Sequence, residues 1–206
     1  MTTRLVVLAS GSGTNLQAIL DACADGRVDG EVVGVVVDRV AARARDRARA
    51  AGVPEIHLPS RSFTDLHPTD PRAARRAYDG ELVATVEAMA PDWVVLAGWM
   101  RLLTTAFLDR FPGRVVNLHP ALPGAFPGAS AIDDAWAHHL TAGLDHTGVM
   151  VHLVPDERVD AGPVLASRPV AIEPGDTRES LEARIHEVEH ELLVAVLSEL
   201  AGSLTR

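Results

Sequence analysis

The chain has a single cysteine, Cys23, so it can build neither an intrachain disulfide framework nor a cysteine-based metal cluster. That scarcity points to a reducing, cytoplasmic setting. No stretch approaches the ~20 apolar residues of a membrane span, and the opening "MTTRLVVLAS" has too short an apolar run for a signal peptide. Blocks of basic residues are missing as well. With a net charge of −9, nucleic-acid binding, which rests on a positive footprint, is disfavoured. A bound phosphate would have to be held by backbone rather than by a field of cations. Among catalytic motifs, G-x-S-x-G is absent, which removes the acyl-serine reading; the one H-E-x-x-H string, "HEVEH" (186–190), falls on the last helix and is weighted toward a substrate-binding or packing role rather than zinc. His138 and His139 are adjacent and so face different directions on a helix, and no metal site is expected. There is no internal repeat.

What is present reads as globular. The 206 residues are 47% apolar and 23% charged, enough for one ordinary domain with a core that needs no staples. Short β-branched runs at 4–10, 31–38, 55–59, 92–99 and 114–120 alternate with helix-like segments at 14–25, 40–52, 71–90 and 102–111. Most of those strands are nearly continuous apolar runs, as strands buried on both faces should be. The pattern predicts an α/β fold: a mostly parallel twisted sheet with helices on both faces. After residue 120 the pattern changes. A Pro/Gly loop leads to a helix near 131–142, and then 147–154 and 162–172 follow too closely for a helical crossover, which predicts an antiparallel pair. A last helix over about 177–201 carries Leu181, Ile185, Val188, Leu192 and Val196 at helical spacing. The segment "RSFTDLHPTDP" (61–71) reads as an irregular link.

Two stretches carry chemistry. Near the start, Ser10-Gly11-Ser12-Gly13-Thr14-Asn15 joins the first strand to the first helix. Glycines there let a ligand approach the backbone, and free helix N–H groups attract an anion. The motif is not a P-loop, because the Lys is missing. The third glycine of a dinucleotide fingerprint is replaced by Leu16, although Asp38 ends the second strand where a ribose-binding acid would sit. A turn that merely caps the helix remains the plainer alternative. The second stretch is "RVVNLHPALPGAFPG" (114–128). Asn117 and His119 lie at i and i+2 on a strand and so project to one face. Pro120 keeps His119 extended, at the strand end where parallel sheets place their ligands. An amide and an imidazole there can reach one developing oxyanion, which suits attack on a carbonyl carbon. Asp160, in "ERVDAGPVL", is the candidate partner, and a carboxylate beside the ring favours the imidazolium. The plainer readings are a strand-end histidine, one of nine in the chain, and a turn-forming aspartate. In "HEVEH" (186–190), His186, Glu189 and His190 share one helical face, in a substrate-binding or packing role.

Taken together, "SGSGTNLQ", "AGWMRLL" (97–103), "NLHPALPGAFPG" (117–128), "TGVMVHLV" (147–154) and "VDAGPVL" (159–165) resemble, in order and spacing, the folate-dependent formyltransferase family. Within it they resemble the members that formylate glycinamide ribonucleotide, over essentially the whole chain. The resemblance implies a Rossmann-like formyltransferase fold in one domain, 1–206. It also implies a phosphate-binding half to about residue 112 and a catalytic, folate-binding half from about 113. By resemblance, Asn117, His119 and Asp160 are the catalytic trio, Gly13, Thr14 and Asn15 cradle the substrate phosphate, and Glu189 binds the ribose. Arg101, Leu102, Leu103, Val154, Asp156 and Asp160 belong to the folate pocket. The implied co-substrate is 10-formyltetrahydrofolate, with no metal; the implied partners are that folate and glycinamide ribonucleotide, with no nucleic acid and no membrane. The assembly state is open, a homodimer among the options. The implied reaction is direct attack of the ribonucleotide amine on the formyl carbon. The related formyltetrahydrofolate hydrolase and a non-catalytic nucleotide or folate binder are the rival readings. The chain departs from the family in the position of Pro123, in Ser130-Ala131-Ile132 and in Trp99, which bears on loop shape rather than on the catalytic groups.

Overall fold

Seven strands form one sheet in the computed structural model, which describes residues 2–204. In chain order the elements are β1 (Thr3–Ala9), α1 (Thr14–Ala24), β2 (Gly30–Val37), α2 (Ala44–Ala50), β3 (Glu55–His57), α3 (Arg61–Leu66), α4 (Pro71–Glu87), β4 (Trp93–Leu96), α5 (Thr105–Leu108), β5 (Val115–His119), α6 (Ala131–Ala142), β6 (His146–Leu153), β7 (Val164–Ala171) and α7 (Arg178–Leu204). Their spatial order is β3-β2-β1-β4-β5-β6-β7. The first five strands pair in parallel, and β6 and β7 join antiparallel. Both the mostly parallel α/β sheet and the antiparallel pair near the C-terminus therefore match the sequence pattern.

Strand direction explains where a ligand can go. The chain winds outward from β1 to β3 and then crosses to β4 on the other side of β1. The crevice at the carboxyl ends of β1 and β4 is thus the topological switch point. Alternate residues of the central strands feed two cores. Leu5, Val7 and Ala9 pack with Leu16, Ile19, Leu181 and Leu193 on the face covered by α1 and α7. Val6 and Leu8 pack with Tyr78, Leu82 and Phe107 on the face covered by α4 and α5. Fully burying each such side chain contributes roughly 1.5–3 kcal/mol, so both faces of the central strands resist slipping by one residue.

Local chemistry sets the element ends. Asp70 caps α4, its Oδ1 accepting from the N–H groups of Arg72 (3.0 Å) and Ala73 (2.9 Å), with Pro71 in the first turn. The link at 61–71 is less irregular than its composition suggested. It contains α3, whose Phe63 meets the Tyr78 ring edge-on at 5.4 Å, so tertiary contact rescues a short helix. Two other helices are shorter than predicted. The segment 102–111 is helical only over Thr105–Leu108, because buried Asp79 claims Thr104 first, accepting from its N–H (2.6 Å) and hydroxyl (2.7 Å). The segment 40–52 is helical only over Ala44–Ala50. Among the described residues no helix is long and apolar enough to cross a membrane.

Candidate active site

β5 delivers Asn117 and His119 to its carboxyl end, as the strand pattern required, and the link between β6 and β7 brings Asp160 back to them. The Asn117 amide donates from Nδ2 to Asp160 Oδ1 at 3.1 Å. His119 Nδ1 lies 3.3 Å from Asp160 Oδ2. The return of Asp160 depends on a tight turn. Asp160 itself has φ 49°, rare for a residue with a side chain. At Gly162 a Cβ would sit 1.8 Å from the Leu153 carbonyl oxygen, so only glycine lets the link pass β6 this closely.

The Pro/Gly loop after β5 closes over the same groups. The Gly128 N–H donates to Asp160 Oδ2 at 2.8 Å. His119 Nε2 lies 3.0 Å from the carbonyl of Phe126, a residue at φ 45°. Both ring nitrogens of His119 thus face acceptors, which would suit an imidazolium. Burial nevertheless prevails: it lowers the His119 pKa below the ordinary value, against the opposing pull of the Asp160 charge and the Phe126 carbonyl. The carboxylate therefore does not produce the net shift toward the imidazolium that the sequence suggested for the unliganded protein, because a ring only 5% exposed loses more solvation than one carboxylate restores. Burial also presses the Asp160 pKa upward, yet its hydrogen-bond partners and the two nearby imidazoles hold it below the usual carboxylate range.

One group in this cluster escaped the sequence reading. His152, 2% exposed on β6, stands directly across from Asn117 in the β5–β6 register. Its Nε2 is 3.1 Å from Asn117 Nδ2 and 3.5 Å from Asp160 Oδ1. A histidine inside the apolar run "GVMVHLV" was the available signal. Only the strand pairing shows that it meets Asn117.

Asn117, His119, His152 and Asp160 border a cavity of about 380 Å³. The cavity also receives Arg101, Leu102, Leu103, Val154 and Asp156, which the family resemblance had grouped in one pocket. Its far wall is held in place by polar ties. The Ser10 hydroxyl, at the end of β1, accepts from the Met100 N–H at 2.9 Å, and Thr105 N–H donates to Glu157 Oε1 at 3.0 Å. The Arg101 guanidinium stacks 4.5 Å above the Tyr78 ring.

Gly13, Thr14 and Asn15 form a second locus at the start of α1. Gly13 is left-handed (φ 72°), and a Cβ there would lie 2.7 Å from Ala44 Cα, so the turn is closed against α2 and admits no side chain. No side chain caps α1, which rules out the plain helix-cap reading and leaves first-turn N–H groups for an anion. Asn15 Nδ2 donates to Glu189 Oε2 at 3.2 Å, and the same oxygen lies 2.7 Å from His186 Nδ1. That contact with Glu189 raises the His186 pKa against the opposing effect of burial. Thr14 opens on a cleft of about 400 Å³ shared with Gln17, Arg47 and His190, separate from the cavity beside Asn117. Asp38 takes no part in either locus; its Oδ1 is buried with no hydrogen-bond partner among the described residues. No group of three or more His, Cys, Asp or Glu side chains among the described residues is placed to hold a metal ion.

A switch-point crevice with an amide, an imidazole and a carboxylate meeting at a strand end defines an enzyme that acts on a carbonyl-type carbon. Residues 3–197 match the family described as formyl transferase. The chain belongs to the formyl transferase family. It is 45% identical over 198 residues to the phosphoribosylglycinamide formyltransferase of Mycobacterium tuberculosis, covering 96% of this chain and 85% of that protein. With the Escherichia coli protein of the same name it shares 38% identity over 194 residues, 94% of this chain and 85% of that one. Its fold superposes on glycinamide ribonucleotide transformylase 1 of Symbiobacterium toebii with a TM-score of 0.87, at 39% identity, covering 98% of this chain and 89% of that chain. The Geobacillus kaustophilus transformylase 1 gives a TM-score of 0.86 at 42% identity, covering 98% and 100%.

Proposed function

We propose that this chain is a phosphoribosylglycinamide formyltransferase of purine biosynthesis, which moves the formyl group of 10-formyltetrahydrofolate to the amine of glycinamide ribonucleotide. The observation that carries the proposal is the meeting of Asn117, His119 and Asp160 within 3.1–3.3 Å at the edge of one cavity. Kinship to the named relatives supplies the reaction, and the cluster's geometry supplies a way to perform it. The chain divides the work between a phosphate-binding half up to about residue 112 and a folate-binding half beyond it.

Gly13, Thr14 and Asn15 offer the open N-terminus of α1 to the ribonucleotide phosphate, an arrangement that needs no block of cations. Glu189, buried beside Asn15, accepts from the ribose hydroxyls. On the other side, Leu102, Leu103 and Val154 give apolar walls for the flat ring of the folate, and Arg101, Asp156 and Asp160 mark its polar edge.

The chemistry is direct transfer. The chain contains no lysine, and burial pushes its one thiol, Cys23, up to about 11. No side chain here is activated as a covalent carrier. The ribonucleotide amine attacks the formyl carbon, whose oxygen becomes an oxyanion hydrogen-bonded by Asn117 and His119. His119 takes the proton that the attacking nitrogen sheds. The imidazolium forms only as the oxyanion appears beside it, so charge develops in pairs in a buried site. His119 then returns the proton to the departing folate nitrogen as the new formamide carbonyl re-forms. Asp160 stays ionised throughout, orienting the ring and balancing its charge.

The test is 10-formyltetrahydrofolate consumption followed by absorbance, with and without glycinamide ribonucleotide. The expected result is turnover only with the ribonucleotide, yielding its formylated product. Equal turnover without it would replace the proposal with the hydrolase reading. Binding of both ligands with no turnover would replace it with the non-catalytic binder.

A further inference from the structure

We propose that His152 is a positioning residue for the formyl-transfer step, anchoring one hydrogen of the Asn117 amide through Nε2 and so keeping the amide nitrogen, rather than its oxygen, toward the formyl group. The inference rests on the reading of Asn117 as an oxyanion donor and adds the group that makes it one.

For a neutral His152 ring the hydrogen-bond inventory selects one arrangement. His152 Nδ1 lies 2.8 Å from the Leu153 carbonyl oxygen, which can only accept, so Nδ1 carries the ring proton. Nε2 then presents a lone pair, and 3.1 Å away is Asn117 Nδ2. The other hydrogen of that amide reaches Asp160 Oδ1, also at 3.1 Å. Turning the amide over would place its oxygen against a carboxylate oxygen and a bare ring nitrogen, losing two hydrogen bonds and creating two acceptor–acceptor contacts. The environment thus selects one of the two amide orientations, and His152 is half of that selection.

The two anchors differ in what they can give up. Asn117, His119, His152 and Asp160 all border the cavity, so an entering formyl oxygen competes with the acceptors already on the amide. Asp160 has the Gly128 N–H and the His119 ring to satisfy its charge. His152 Nε2 has Asn117 Nδ2 at 3.1 Å, and its other near neighbour among the described residues, Asp160 Oδ1 at 3.5 Å, is a carboxylate oxygen that can only accept. The outer hydrogen passes from Asp160 to the formyl oxygen, and the inner one stays on His152 as a pivot. His152 sits on β6 directly opposite Asn117 in the regular β5–β6 ladder, and the β6–β7 register shifts at Val151/His152 on its other side, so it is the pairing with β5 that fixes the pivot against the amide.

Three measurements test this. In ring-nitrogen NMR of wild-type protein labelled with ¹⁵N-histidine, His152 should show a protonated Nδ1 and an unprotonated Nε2, assigned by the signals lost in His152→Gln. In steady-state kinetics, His152→Phe removes the acceptor and should lower kcat by ~10-fold or more with KM for both substrates within ~2-fold. His152→Gln, whose side-chain carbonyl can accept from Asn117, should recover most of that loss. A residue that merely fills space would be replaced as well by Phe as by Gln. A proton on Nε2, a folded Phe variant with unchanged kcat, or a Gln variant no better than Phe would overturn the inference. Should the Phe variant not fold, the nitrogen signals decide alone, because they are read on the unaltered chain. A wild-type protein that does not formylate the ribonucleotide would defeat the proposed function instead, while the same signals would still judge the anchor.

Discussion

The site contains the same three-part arrangement twice, and the two copies behave in opposite ways. At the strand end, Asn117 donates to Asp160, which also faces His119. At the start of α1, Asn15 donates to Glu189, which also holds His186. Yet the His119 pKa is lowered and that of His186 is raised. Exposure decides between them. The His119 side chain is 5% exposed and that of His186 is 41% exposed, so the desolvation that dominates at the first is outweighed by the carboxylate at the second. One histidine is shifted toward the neutral ring where a proton must be taken and returned. The other is shifted toward the charged ring beside a turn suited to an anion. An Asn–carboxylate–His set therefore has no fixed chemistry of its own; depth in the fold assigns it.

The sharpest way to break this contrast is to remove each amide. Asn117→Ala should lower kcat by ~10²–10³-fold, the usual loss for an oxyanion donor, with ribonucleotide KM little changed. Asn15→Ala should do the reverse, raising the ribonucleotide KM and sparing kcat. Steady-state kinetics on both variants checks the pair, and a loss of only a few-fold at Asn117 would end its assigned role. Next come the two glycines that set the turns. Gly162→Ala forces a methyl into the Leu153 carbonyl, so Asp160 should be displaced, kcat should fall and the protein should lose roughly 1–3 kcal/mol in denaturant melts, as overpacking does. Gly13→Ala, strained at φ 72° and blocked by Ala44, should lose a similar stability but express it as weak ribonucleotide binding with folate binding intact.

A smaller effect is expected at the carboxylate of the exposed set. Glu189→Gln should raise the ribonucleotide KM by about tenfold, the equivalent of one hydrogen bond of ~1.4 kcal/mol, with no change in folate KM. Equal changes in both would mean that the two loci are not separate. The smallest effect is in titration. By NMR, His186 should titrate above the ordinary value of about 6.5 and His119 below it. The stability consequences have opposite signs. The His186 contribution is complete below about 6.5 and is lost as pH rises through its raised folded pKa. The His119 contribution is complete above about 6.5 and is lost as pH falls through its lowered folded pKa. Replacing each by Asn should remove its own limb from a plot of stability against pH.

Much of this was legible in the chain before any coordinates. Apolar runs such as "VVGVVV" cannot sit anywhere but in strands covered on both faces, so the alternation of such runs with helices gave the parallel sheet. The brevity of the 154–162 link gave the antiparallel pair. The i, i+2 spacing of Asn117 and His119 and the Pro120 behind them put two polar groups at a strand's carboxyl end. The helix α3 was hidden because its support is a ring on α4, 15 residues from Phe63, and His152 was hidden because its meaning lies in a neighbouring strand's register.

By itself the sequence determined the inventory and the local directions: which groups exist, which face of which strand they leave from, where glycine permits a turn that no side chain could make. These follow from covalent geometry and periodicity, which act over a few residues. Tertiary structure alone decided the direction of the His119 pKa shift, the contact of His152 with Asn117 and the pairing of Asp160 with residues 41 and 43 positions earlier. Those depend on solvent exclusion and on distances through space. Desolvation and hydrogen bonding respond to what surrounds an atom, and that is settled only when the sheet has closed.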